Sequence, residues 1–235
     1  MLAMETGGAQ ATAVYTRELA VQVVEICTGA GVDCYAPAYD AALLQSMFDP
    51  AGIELFFPAA TRLNGFGFVD AGGGEIDPGE ALNDFRLAMS PPATAHTAYL
   101  GGTPDMAGSA VELAYVGGAS VDLPFGVVQG TGGFSLAAAT EIVAHALGHI
   151  LGAPHDGDGN AAPASGFVMA PALNLAAPPS TYSTVSLAAF ESAALPGPTG
   201  TFAASADVPA PAAGGLLAAA LGGLAALRAR RRRTV

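Results

Sequence analysis

Glu141 to Asp156 reads E-I-V-A-H-A-L-G-H-I-L-G-A-P-H-D and holds three of the chain's four histidines, His145, His149 and His155. His145 and His149 are four residues apart, so on an α-helix their imidazoles share one face, one turn apart. Gly152 follows where a helix needs a residue free to take positive φ and stop. The chain can then turn and bring His155 toward the same point. Three neutral imidazoles fill three corners of a zinc tetrahedron, and the open fourth corner is the catalytic rather than the structural pattern.

The helix that carries this stretch is predicted over Leu136 to Leu151, with Ser135 as N-cap and Leu136, Val143, Leu147, Ile150 and Leu151 as its apolar side. Glu141 stands one turn before His145 on the same face, where it is expected to support a ligand imidazole from behind. Asp156 to Asn160 places oxygen donors at alternate positions. It lacks the glycine and the bidentate Glu of a calcium loop, so a solvated turn is expected. His96 stands apart and is read as a surface or loop residue.

Composition allows one domain plus tails. Residues 1–207 carry 3 Arg against 20 Asp and Glu, 3 − 20 = −17 with histidine neutral. Such a field repels nucleic acid, which is excluded as a partner, and favours solubility. Cys27 and Cys34 read as a small disulfide-closed loop in an exported chain; two separate buried thiols are the alternative.

Residues 1–13 read as disordered. Glu18 to Ile26 is rich in β-branched residues and predicts a strand. A helix with Ala42, Leu43 and Met47 on its apolar stripe comes next, then a strand over Ile53 to Phe57, a βαβ opening. Residues 58–95 are poorly legible apart from a helix over Glu80 to Met89. Thr97 to Leu100, Val111 to Val116 and Phe125 to Gln129 read as strands. The last of these is expected to be the edge beside the cleft, where an extended peptide could pair with it. A short helix is expected around Ser186 to Ala194.

H-A-x-x-H-x-x-G-x-x-H-D, with F-V-M-A-P at Phe167 to Pro171, resembles the metzincin metalloproteases, and within them the reprolysin or adamalysin branch. The resemblance covers Glu141 to Pro171. It implies Zn2+ held by His145, His149 and His155, a helix-ending Gly152, and Met169 as an apolar floor under the imidazoles. Asp156 then has a structural role. The implied fold is α+β: a twisted mixed sheet with an antiparallel edge strand, backing helices, the zinc-site helix and a small C-terminal subdomain, spanning residues 14–195. The implied activity is that of a zinc-dependent metalloendopeptidase acting on a protein or peptide substrate.

One position departs from that motif. The residue after the first histidine is normally a Glu that takes the proton of the water on zinc. Here it is Ala146, which has no acceptor. Losing a general base costs on the order of 10²–10⁴-fold in rate, so this chain is expected to be inactive or strongly impaired. The change reads as recent or engineered, or else as that of a natural pseudoprotease that binds peptides at the cell surface without cutting them. A surface protein that uses the metal only for stability is the third reading.

A Pro, Gly, Ala and Ser linker spans 196–207. Residues 208–235 begin Val208-Pro209-Ala210-Pro211, continue as an apolar run over 212–227 and end in an Arg cluster. This tail resembles the PEP-CTERM sorting signals of Gram-negative bacteria, with Ala210 where those signals carry Glu. It implies a membrane segment before exosortase processing, and a chain exported to the cell envelope or extracellular surface.

Overall fold

The computed structural model describes residues 14–29, 33–89, 97–120, 123–130 and 133–197. His96, residues 1–13 and the sorting-type tail lie outside that set. Among the described residues no helix is long and apolar enough to cross a membrane.

The fold is α+β, with a mostly parallel sheet. Its strands are β1 (Arg17–Thr28), β2 (Asp33–Tyr35), β3 (Ile53–Phe56), β4 (Thr61–Phe66), β7 (Thr97–Thr103), β8 (Glu112–Ala114) and β9 (Phe125–Gln129). A small hairpin, β5 (Asp70–Gly72) and β6 (Glu75–Ile76), stands beside it. The helices are α1 (Ala41–Phe48), α2 (Pro78–Met89), α3 (Leu136–Ile150) and α4 (Thr184–Ser192).

β1 organises the sheet because it is long enough to carry several partners. One of its sides pairs parallel with β3 along Arg17 to Ala20 and with β4 along Val24 to Thr28. The other pairs parallel with β7 and then antiparallel with β2. The β1–β2 register places Cys27 opposite Cys34, and the two are disulfide-bonded. From β7 the sheet continues through β9 to β8, and the β8–β9 pair is antiparallel.

Alternation along the strands sends successive side chains to opposite faces. Leu19, Val21, Ala98, Leu100 and Val128 join the core under α1, α3 and α4. Val24, Ile26, Tyr99, Phe125 and Val127 join a second core that contains Phe85 of α2. Each such fully buried apolar side chain contributes about 1.5–3 kcal/mol.

Three expectations need correction. Phe125–Gln129 is not the edge: β9 lies between β7 and β8, and β8 is the edge. An unbroken apolar run is the signature of a strand buried on both faces, which this one is. The buried stripe of α1 is Leu44, Met47 and Phe48 rather than Ala42, Leu43 and Met47. The helix starts at Asp40, whose carboxylate accepts from the amides of Ala42 and Leu43, and that start fixes which residues turn inward. Leu136, expected on the apolar side of α3, is 49% exposed because it sits in the first turn, before the helix passes under the sheet.

Candidate metal centre

The site is built at the C-terminal half of α3. Ser135 caps the helix, its hydroxyl accepting from the Ala138 amide. At the other end Gly152 takes φ +97°. The Gly152 amide donates to the His149 carbonyl at 2.8 Å, and the Ala153 amide to the Gly148 carbonyl at 2.9 Å. This pair of bonds is the Schellman arrangement, which only a residue comfortable at positive φ completes. It reverses the chain and delivers His155 back to the helix face.

There the three imidazoles meet. His145 Nε2 lies 3.1 Å from His149 Nε2, which lies 3.2 Å from His155 Nε2. The far side of two rings is locked. His145 Nδ1–H donates to the Val168 carbonyl at 2.7 Å, and His149 Nδ1–H to the Ala153 carbonyl at 2.9 Å. A carbonyl only accepts, so these bonds fix the proton on Nδ1 and leave Nε2 as a bare lone pair. Lone pairs facing one another at 3.1 Å repel unless a cation lies between them. The spacing matches the roughly 3.3 Å edge of a tetrahedron with bonds of about 2.0–2.1 Å. The donor set therefore fits a metal ion, and His145, His149 and His155 form a group able to hold one.

Burial keeps these ligands neutral. It lowers the His145 pKa to about 3, helped by the neighbouring His149, and that of His149 to about 4. At neutral pH both offer a lone pair rather than a charge.

Met169 is wholly buried, and a Cβ on Gly148 would collide with its sulfur, so the thioether rests on the helix between the two ligand turns. The same turn supplies the Val168 carbonyl to His145. The Met169 carbonyl accepts from the Asp156 amide at 2.8 Å. Asp156 is itself fully buried, and its carboxylate accepts from Ser183 at 2.6 Å and Ser186 at 3.2 Å. This single network ties the third histidine's loop, the methionine turn and the start of α4. Between Leu151 and Ser183 the chain forms no helix or strand.

Two carboxyls complete the surroundings. Glu141 does not reach a ligand ring, contrary to expectation. Both its oxygens are buried without a hydrogen-bond partner among the described residues, and the ring nitrogens it was to support go to backbone carbonyls instead. Burial pushes its pKa up to about 7. The second, Glu112 on β8, was not foreseen. Its Oε1 lies 3.7 Å from His145 Nε2, and its side chain is 12% exposed. Its Oε2 is buried and unpartnered, and burial pushes its pKa up to about 8. The signal available in the sequence was parity. Two positions from Ala114 on a strand, Glu112 belongs to the face that packs on α3, an unusual place for a charge. Ala146 is fully buried in the core and contributes no polar atom.

No family model and no curated protein matches the sequence. Among solved structures the chain is similar to archaemetzincin from Archaeoglobus fulgidus, at 15% identity and a TM-score of 0.43, over 73% of this chain and 99% of that one. It is also similar to a zinc-dependent peptidase from Methanocorpusculum labreanum, at 13% identity and a TM-score of 0.48, over 74% of this chain and 99% of that one.

Proposed function

We propose that the chain is a zinc-dependent metallopeptidase of metzincin-like, reprolysin-type design. One observation carries this reading: three imidazole nitrogens converge as lone pairs, two of them locked in place by Nδ1–H bonds to backbone carbonyls. Nitrogen donors of this kind suit zinc over calcium or magnesium. Zinc held there supplies Lewis-acid polarisation of a peptide carbonyl and makes water more acidic. The protein's own part is to fix the three rings, floor them with Met169 and exclude bulk water through the burial of His145 and His149. The edge strand β8 stands beside the trio and offers backbone groups to an extended polypeptide.

A second reading draws on Ala146. With no carboxylate at that helix position, the same centre would serve as a zinc-loaded peptide-binding module. Export and sorting through residues 208–235, with exosortase processing, belong to this proposal on sequence grounds alone.

The test is metal analysis beside a protease assay. The purified chain should carry one zinc, and cleavage of an unfolded protein should stop on chelation and return with zinc. His149→Ala should lose the metal altogether. A wild-type chain that holds no more zinc than His149→Ala removes the basis of the proposal.

A further inference from the structure

α3 and the turn after it present three nitrogens and, at position 146, nothing that can take a proton. The edge strand faces the same point with a carboxylate. We propose that Glu112 is the proton acceptor of the site, supplied by β8 in place of the helix residue that Ala146 lacks. The inference rests on the metallopeptidase reading, and it replaces the expectation that this chain is inactive.

Three observations carry it. The first is position: Oε1 lies 3.7 Å from His145 Nε2, the atom that faces the other two ring nitrogens. The second is the state of the carboxylate. Its Oε2 is buried with no partner among the described residues, a condition that costs free energy and leaves an acceptor unused. The third is that simpler roles fail. An ion pair with His145 needs a proton on Nε2, yet that atom points at the His149 Nε2 at 3.1 Å while the ring donates its Nδ1–H to the Val168 carbonyl. A fourth ligand needs a place within the donor cluster. Glu112 falls outside the group whose atoms all lie within 4.8 Å of one another. It stands beside His145, outside the trio. Glu141, a further buried carboxyl with neither oxygen hydrogen-bonded among the described residues, has no hydrogen bond to any of the three rings.

The step balances without another reagent. Glu112 acts as the carboxylate, the form that a divalent cation held by the three histidines would favour; a water oxygen bonds to the scissile carbonyl carbon as one of its protons passes to Glu112. Glu112 returns that proton to the amide nitrogen as the C–N bond breaks. A carboxylic acid and an amine leave, and Glu112 ends as it began.

The experiment compares the full-length chain with Glu112→Gln, Glu112→Asp and His149→Ala. Glu112→Gln should bind zinc at one equivalent, with an affinity close to that of wild type. Its cobalt(II)-loaded form should keep the intensity of the visible bands, which report coordination number. Its kcat/KM on an unfolded protein should fall about 10²–10⁴-fold. Glu112→Asp, one methylene short, should recover part of that loss. If Glu112→Gln cleaves as fast as wild type, Glu112 is not the acceptor, while the metallopeptidase reading stands. If its cobalt bands collapse and its zinc affinity falls as far as that of His149→Ala, Glu112 is a ligand and the proposal is overturned. A wild-type chain that binds zinc and cleaves nothing also overturns it, in favour of the binding module. A wild-type chain that binds no zinc sinks the underlying reading instead.

Discussion

The two walls of the metal centre are built by opposite means. The α3 wall is self-contained. His145 and His149 come from one turn of helix, and the cap at Gly152 returns His155 to them. Backbone carbonyls of Ala153 and Val168 then hold two of the rings. The β8 wall contributes the side chain of Glu112 from a three-residue strand that, among the described residues, is hydrogen-bonded only to β9. One wall is rigid because its parts are close in sequence and bonded to one another. The other depends on where the sheet ends.

The largest expected effect tests how self-contained the α3 wall is. Asp156 is fully buried and joins His155's loop to Ser183 and Ser186. Asp156→Ala leaves both hydroxyls without their acceptor and should cost about 2–4 kcal/mol. Urea midpoints read this directly. Zinc affinity should fall with it by about 10- to 100-fold, because the third nitrogen is no longer held. If stability drops while zinc affinity stays at the wild-type value, the His155 loop is positioned by something other than this network, and the two walls differ less than argued.

A smaller effect is expected at the floor. Gly148 leaves the gap that the Met169 sulfur fills, with Met169 Cε and Tyr182 Cε1 each 3.3 Å from where a Cβ would stand. Gly148→Ala should force the thioether aside. Overpacking of this kind costs about 1–3 kcal/mol, offset in part by the better helix propensity of alanine. Thermal melting with and without zinc checks it. The zinc-bound form should lose more than the apo form, since the displaced floor lies under the ligands. Equal losses in the two forms would show that Met169 supports the fold and not the centre.

The same contrast explains what could be read from the chain alone. Ser135, the four-residue histidine spacing and Gly152 each act over one or two helical turns, so local rules place α3 and its end within a residue. β4 escaped notice because T-R-L-N-G-F is mostly exposed and does not alternate. It is a strand because β1 runs on past β3 and leaves a row of backbone groups for it to pair with. The edge was misplaced for a related reason. The apolar run of β9 says that it is buried, while nothing in E-L-A announces that β8 is last in the sheet. Spacing puts Glu141 one turn before His145, but spacing alone does not assign its partner. The competition it loses, to the carbonyls of Val168 and Ala153, is settled by segments that follow the helix.

Glu141 gives the smallest expected effect, and it probes the α3 wall from within. Burial holds its pKa at about 7, against an ordinary carboxyl value of 4.5. The folded chain therefore keeps a proton that the unfolded chain releases between those values. The stability this brings is fully present below pH 4.5 and is lost as pH rises through 7. The histidines act with the opposite sign. Their lowered values, about 3 for His145 and 4 for His149, give stability that is present above pH 6.5 and lost as pH falls. Glu112, raised to about 8, has the sign of Glu141. All three of these groups remain in Glu141→Gln and cancel when it is compared with wild type. For metal-free protein, the urea midpoint of Glu141→Gln should gain on wild type steadily from pH 5 to pH 7 and level off above. A constant difference across that range would mean that water reaches the carboxylate in solution, and that the helix wall carries no buried proton of its own.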